Sequence, residues 1–150
     1  MRNQSVALKL ITICLIICVL LPTGVTAAKL EPSEPYASDY LTSYNTYICA
    51  VGDGELEIWF SVTGKRYMDD VGTLTIILYE STDNANWEHV KTYRHDTYAN
   101  MLGHGVVQHN SYVPYEGVAG RYYKAYVTIW AGMGDNGDAR YMWTTVERAT

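Results

Sequence analysis

An all-β fold is what this sequence predicts, in the form of a single antiparallel β-sandwich of immunoglobulin-like pattern with about seven strands. Three observations carry the prediction. Apolar and polar residues alternate with period two over most of the chain after Ser43, short polar breaks rich in Gly, Asn and Asp recur between the alternating runs, and no helix-period segment exceeds a turn or two.

The N-terminus reads as a secretory signal over residues 1–27. Arg2 and Lys9 precede an unbroken apolar run, Leu10 to Leu21, followed by Pro22, Gly24 and the small residues Val25-Thr26-Ala27, which places cleavage after Ala27. A retained membrane anchor is the rival reading, but the run is shorter than the roughly 20 residues that span a bilayer. Leu15-Ile16-Ile17-Cys18 lacks the small residue that a lipoprotein signal places before its cysteine. Leu21-Pro22-Thr23-Gly24 is one residue short of a sortase motif and lies at the wrong end. Cleavage removes Cys14 and Cys18 and leaves Cys49 alone, so an intrachain disulfide is not expected. Cys49 reads as a small buried hydrophobe, with an intermolecular bridge or a reactive thiol as alternatives.

Residues 28–43, with Pro32 and Pro35 and no clean periodicity, read as a tether or a weakly packed first strand before a domain over 44–150. Strands are expected at 44–51, 55–63, 73–81, 87–93, 106–113, 121–131 and 140–147. In the second of these Leu56, Ile58, Phe60 and Val62 share one face and Glu55, Glu57, Trp59 and Ser61 the other, the signature of a half-buried antiparallel strand. Turns are expected at Gly52-Asp53-Gly54, Gly64-Lys65-Arg66, 83–86, Gly103-His104-Gly105, 114–120 and 134–138. Tyr123 enters a late strand after the glycine-rich turn 116–120. That is the pattern of the tyrosine corner of immunoglobulin-like sandwiches, with Ala125 where antibody domains carry their second cysteine.

The stretch Tyr79 to Trp87, YESTDNANW, admits three readings. As a sialidase-type Asp box it fails, because Ala85 replaces the glycine and Trp87 comes one residue early. As a calcium loop it has too few oxygen ligands beyond Asp83, Asn84 and Asn86. A hairpin with an Asx-type turn accounts for all of it. Whether Val90 or Lys91 shares the face of Leu78 depends on the parity of that loop. Lys91 facing inward is tolerable only on an edge strand.

Met68-Asp69-x-Val71-Gly72, Leu78-x-Glu80-Ser81-x-Asp83, Trp87-x-x-Val90-x-Thr92-Tyr93, Gly120-x-Tyr122-Tyr123-x-Ala125-x-Val127 and Asp138-x-Arg140-Tyr141 together span nearly the whole exported chain. This pattern resembles a domain-of-unknown-function family of short secreted proteins of Gram-positive bacteria. The resemblance implies an exported β-sandwich, and brings no activity, substrate or catalytic residue. The chain departs from the pattern at the turn, where Ala85 or Asn86 stands for the usual glycine.

Composition narrows the function classes. With Arg2 and Lys9 gone, nine Lys and Arg face sixteen Asp and Glu, a net charge of −7. That disfavours nucleic acid and anionic lipid as partners, and no membrane association is expected after signal cleavage. Fourteen tyrosines against one phenylalanine suit surfaces that are apolar and wet at once. In the final hairpin Asn136-Gly137 reads as the turn, which pairs Asp135 with Asp138 and sets Trp130 opposite Trp143. Tyr126 and Tyr122 fall on the same outer face, with Tyr141 near. The ligand-binding candidates are therefore Trp130, Trp143, Tyr126, Tyr122 and Tyr141, a strip fitted to carbohydrate or to a cell-surface protein, the alternative being a cross-strand aromatic pair that stabilises the hairpin or is covered by the tether. The inner face is expected to carry Tyr123, Ala125, Val127 and Ile129 against Met142, Thr144 and Val146.

The four histidines, His89, His95, His104 and His109, have no spacing that aims two at one metal, so no metal and no cofactor is expected. Glu55 and Glu57 beside Trp59 are the best carboxylate pair for a hydrolase, but exposed strand glutamates lack the burial that raises a general acid's pKa. Asp135 with Asp138, and Asp69 with Asp70, are explained by turn chemistry, a weak calcium site being the alternative. The expectation is an extracellular, non-catalytic module, with a partner or oligomer interface as the alternative and a hydrolase behind both.

Overall fold

A computed structural model describes residues 38–150. The expected signal peptide, 1–27, and residues 28–37 of the expected tether lie outside the described residues. The fold is all-β: β1 (Leu41–Gly52), β2 (Glu55–Ser81), β3 (Glu88–Arg94), β4 (Leu102–Glu116), β5 (Tyr122–Met133), β6 (Asn136–Trp143) and β7 (Glu147–Arg148), with a 3-10 turn at Ala99–Met101. These seven antiparallel strands form one curled sheet organised by β2. The first half of β2 pairs with β1 on one side and β4 on the other. Its second half pairs with β3 and β5, and β5 in turn carries β6 and β7.

Period-two alternation builds the core. Leu56, Ile58, Phe60 and Val62 from the first half of β2, Ile76 and Leu78 from the second, and Tyr123, Ala125, Val127 and Ile129 of β5 all bury into one cluster. The predicted inner face of β5 is therefore found, with Thr144 buried and Met142 packed against it, whereas Val146 is exposed. β6 stops at Trp143 because Thr144 turns inward, its hydroxyl accepting from the Ala125 N–H at 2.9 Å.

The expected turn at Gly64-Lys65-Arg66 does not form, and the two strands predicted around it are a single β2. Gly64 is buried and extended, and a Cβ on it would come 2.7 Å from Met68 Cγ, so its missing side chain makes room for packing rather than for a turn. The ladder with β4 shifts register between Thr63 and Met68, and Lys65, Arg66 and Tyr67 stand exposed there. β4 likewise runs through Gly103–Gly105 and past Pro114, which lies on an outer strand where a missing N–H is tolerated.

β1 begins at Leu41, earlier than expected, because the Asp138 carboxylate accepts from the Ser38 hydroxyl and the Asp39 and Tyr40 N–H groups and Leu41 is buried. Cys49 is exposed, contrary to the expected burial: it pairs with Glu57 on the outward face, while Thr46 and Ile48 take the inward positions.

The tyrosine at the start of β5 is tied as its position suggests. Its hydroxyl accepts from the Val118 N–H at 2.8 Å and donates to Glu80 Oε2 at 2.7 Å, while Arg121 pairs with the other Glu80 oxygen. Burial, together with the bond to Glu80, pushes the Tyr123 phenol up to about 12. In the β2–β3 turn Asp83 accepts from Ser81, Ala85 and Asn86, and the backbone bonds above all hold its carboxyl well below the usual range. That turn is the expected Asx-type hairpin. Lys91 stands opposite Leu78, with Val90 the extra residue of a bulge, and its ammonium lies 4.9 Å from the Tyr93 ring centre.

Candidate functional site: an aromatic strip on the outer face of β5 and β6

The last hairpin turns two residues earlier than Asn136-Gly137. Met133 pairs with Asn136, so Gly134 and Asp135 form the loop, with Gly134 at φ 56° in the first central position of a II′-type turn. Two features favour this register. Gly132 and Gly137 face each other beneath the Trp130 indole, where a Cβ on Gly137 would lie 2.4 Å from Trp130 Cζ2. The Gly134 N–H also donates to Asp69 at 2.7 Å.

The resulting slip corrects the predicted pairing. Trp143 stands opposite Tyr126, and Trp130 opposite Ala139 rather than Trp143. Because the slip is an even number of residues, both tryptophans keep the outer face. Of the five predicted residues, the structure brings three together. The rings of Tyr126 and Trp143 are 4.9 Å apart, and Tyr141 stacks on Tyr126 at 6.1 Å with planes 11° apart. Trp130 is set apart over its glycine pair, and Tyr122 lies beneath the Arg148 guanidinium at 5.6 Å.

The strip continues onto residues that the sequence reading did not single out as ligand-binding. Tyr79 lies 5.5 Å from Trp143, and His89 6.0 Å from Tyr79. Lys124, on the same outer face, has its ammonium 4.1 Å from the Trp87 ring centre and 4.8 Å from that of Trp143. Trp143 is 49% and Tyr141 62% exposed, so the ring faces are open to a ligand.

A second aromatic ladder crosses the other half of the sheet. Tyr47, Trp59 and Tyr112 occupy one row of β1, β2 and β4, at 6.3 Å and 4.7 Å between successive ring centres. Beside it a groove of about 480 Å3 is lined by Glu55, Glu57, Asn100, Tyr112 and Glu116 among others. Glu57 accepts from the Trp59 indole at 2.8 Å, and Glu55 stands opposite Glu116.

The remaining candidates are dispersed. His104 pairs with Asp70 at 2.6 Å, His109 bonds to the Asn100 carbonyl at 2.8 Å, and His89 contacts Thr92 at 2.9 Å. No group of three His, Cys, Asp or Glu side chains among the described residues is placed to hold a metal ion.

No family model matches the chain, and no curated protein matches it. A solved structure described as a protein from Archaeoglobus fulgidus aligns with 73% of this chain and 98% of its own at 8% identity, with a TM-score of 0.33. That is too distant a likeness to carry a fold or a function across.

Proposed function

We propose that this is an exported, non-catalytic module with an immunoglobulin-like sandwich architecture. It acts by surface contact and holds cell-wall or host glycan on the strip of Tyr141, Tyr126, Trp143 and Tyr79. The observation that carries the reading is the run of aromatic rings at 4.9 to 6.1 Å spacing on one sheet face, with Trp143 and Tyr141 exposed, a surface on which pyranose rings stack. The shared core of the two halves of β2 and the backbone tie of Tyr123 support the architecture. The test is co-sedimentation of the purified chain with insoluble cell-wall material and polysaccharides. Wild type pellets with at least one of them, and Trp143→Ala stays in the supernatant. A Trp143→Ala variant that pellets like wild type would end the assignment to this strip.

A protein-interaction or oligomer surface is the second reading, and the Tyr47–Trp59–Tyr112 ladder favours it, since Tyr47 is 43% and Tyr112 38% exposed. Light scattering over a concentration series decides this one, a constant monomer mass counting against self-association.

A further inference from the structure

The register places the outward side chains of the strip's half of the sheet in rows. Arg94, Thr75, Thr128 and Tyr141 form one, Thr92, Ile77, Tyr126 and Trp143 the next, and His89, Tyr79 and Lys124 a third. Beyond these, Tyr122 pairs with Arg148. The charged residues at these outward strand positions are Lys124, Arg94 and Arg148, with no Asp or Glu among them. Asp83, in the adjoining turn, is engaged by that turn's own hydrogen bonds.

In the first half of the sheet Glu55, Glu57 and Glu116 stand outward, and Lys65 and Arg66 are exposed only at the register shift toward the end of that part of β2. In a chain of net charge −5, the outward strand positions around the aromatic strip thus carry Lys124, Arg94 and Arg148. Among the described residues, Lys124 has no carboxylate within ion-pair distance, and its ammonium lies between two indoles.

We propose that the glycan held by the strip is a uronate-bearing polysaccharide, an inference that rests on the glycan reading above. A pyranose stacked on Trp143 and Tyr126 needs its anionic group a few ångströms from the ring face to reach Lys124, since the ammonium lies 4.8 Å from the Trp143 ring centre. A uronate carries its carboxylate on the sugar ring itself and meets that geometry. A phosphate polymer built on open-chain alcohols has no such ring face to stack. The local cations supply a charge-assisted contact that falls off with salt.

The test is affinity electrophoresis of the purified chain in gels containing polygalacturonate, its fully methyl-esterified form, or a neutral hydroxyethylcellulose. Wild type is expected to be retarded by polygalacturonate with a Kd roughly tenfold below that for the ester, the size of one charge-assisted contact. Lys124→Met, which keeps the stem and removes the charge, is expected to bind acid and ester alike, while Lys124→Arg keeps the preference. Matching circular dichroism melts establish that the variants are folded. Equal binding of acid and ester by wild type, or an undiminished preference in Lys124→Met, overturns the uronate inference and leaves the glycan reading standing. No retardation by any polysaccharide overturns both.

Discussion

Trp143, the last residue of β6, stands directly opposite Tyr126 of β5 with ring centres 4.9 Å apart, and still leaves 49% of its own surface open. A cross-strand aromatic pair of this kind contributes about 0.5–1.5 kcal/mol to the hairpin. Trp143→Ala is therefore expected to lower stability by about 1 kcal/mol in a urea titration and to abolish glycan retention. A large loss of stability with retention intact would make the residue a packing element only.

Trp130 has the other role. Its indole fills the space over Gly132 and Gly137, so Gly137→Ala, which sets a methyl against the ring and 2.7 Å from the Ala131 carbonyl oxygen, is expected to destabilise by about 1–3 kcal/mol. Chemical denaturation followed by tryptophan fluorescence measures this. A neutral effect would show that the indole is free to move aside.

The Tyr123 hydroxyl serves Val118 and Glu80 at once. Tyr123→Phe removes the acceptor of the Val118 N–H and the donor to Glu80 Oε2, while Arg121 keeps the other Glu80 oxygen, and is expected to cost about 1–3 kcal/mol. The phenol also gives the fold an alkaline limit. Its folded pKa, about 12, lies above the ordinary value of 10.0, so the folded state holds the proton where the unfolded chain has lost it. That contribution is complete below pH 10 and is lost as pH rises toward 12. Burial raises the Tyr93 and Tyr115 phenols in the same direction. Far-UV circular dichroism between pH 9 and pH 12 should show unfolding that is shallower in Tyr123→Phe relative to its own neutral-pH stability.

Two carboxylates set the acid side. Hydrogen bonds hold Asp83, in the β2–β3 turn, and Asp138, which anchors Ser38 to Tyr40, below their ordinary pKa. Depressed carboxyls stabilise the fold above the unfolded pKa of about 4 and lose that contribution as pH falls through the folded value. The thermal midpoint is expected to fall between pH 5 and pH 3 in wild type and to fall less in Asp83→Asn and Asp138→Asn. Identical pH profiles would remove both residues from the account.

How much of this was legible in the sequence follows from what is local. Alternation in 55–63 and 121–131 is a property of neighbours along the chain, so the inward faces of β2 and β5 were readable, as was the parity that put Trp130 and Trp143 on one face. Glycine misled three times. Gly64, Gly103 and Gly137 each give up a side chain to Met68, His109 or Trp130, and a missing side chain reads in sequence as a turn. Tyr79, His89, Trp87 and Lys124 were missed as strip members because their meeting depends on the β2–β5 and β2–β3 registers, which join segments far apart in the chain. Cys49 was misplaced because ICAV does not alternate, so its face is decided by the partner Glu57.

The most direct test of the strip is a comparison of Trp143→Ala with Trp130→Ala in co-sedimentation with the insoluble polysaccharides that retain wild type, at matched folded fractions. The strip predicts that Trp143→Ala is released while Trp130→Ala pellets like wild type. Equal retention of both, or loss in Trp130→Ala alone, would contradict it.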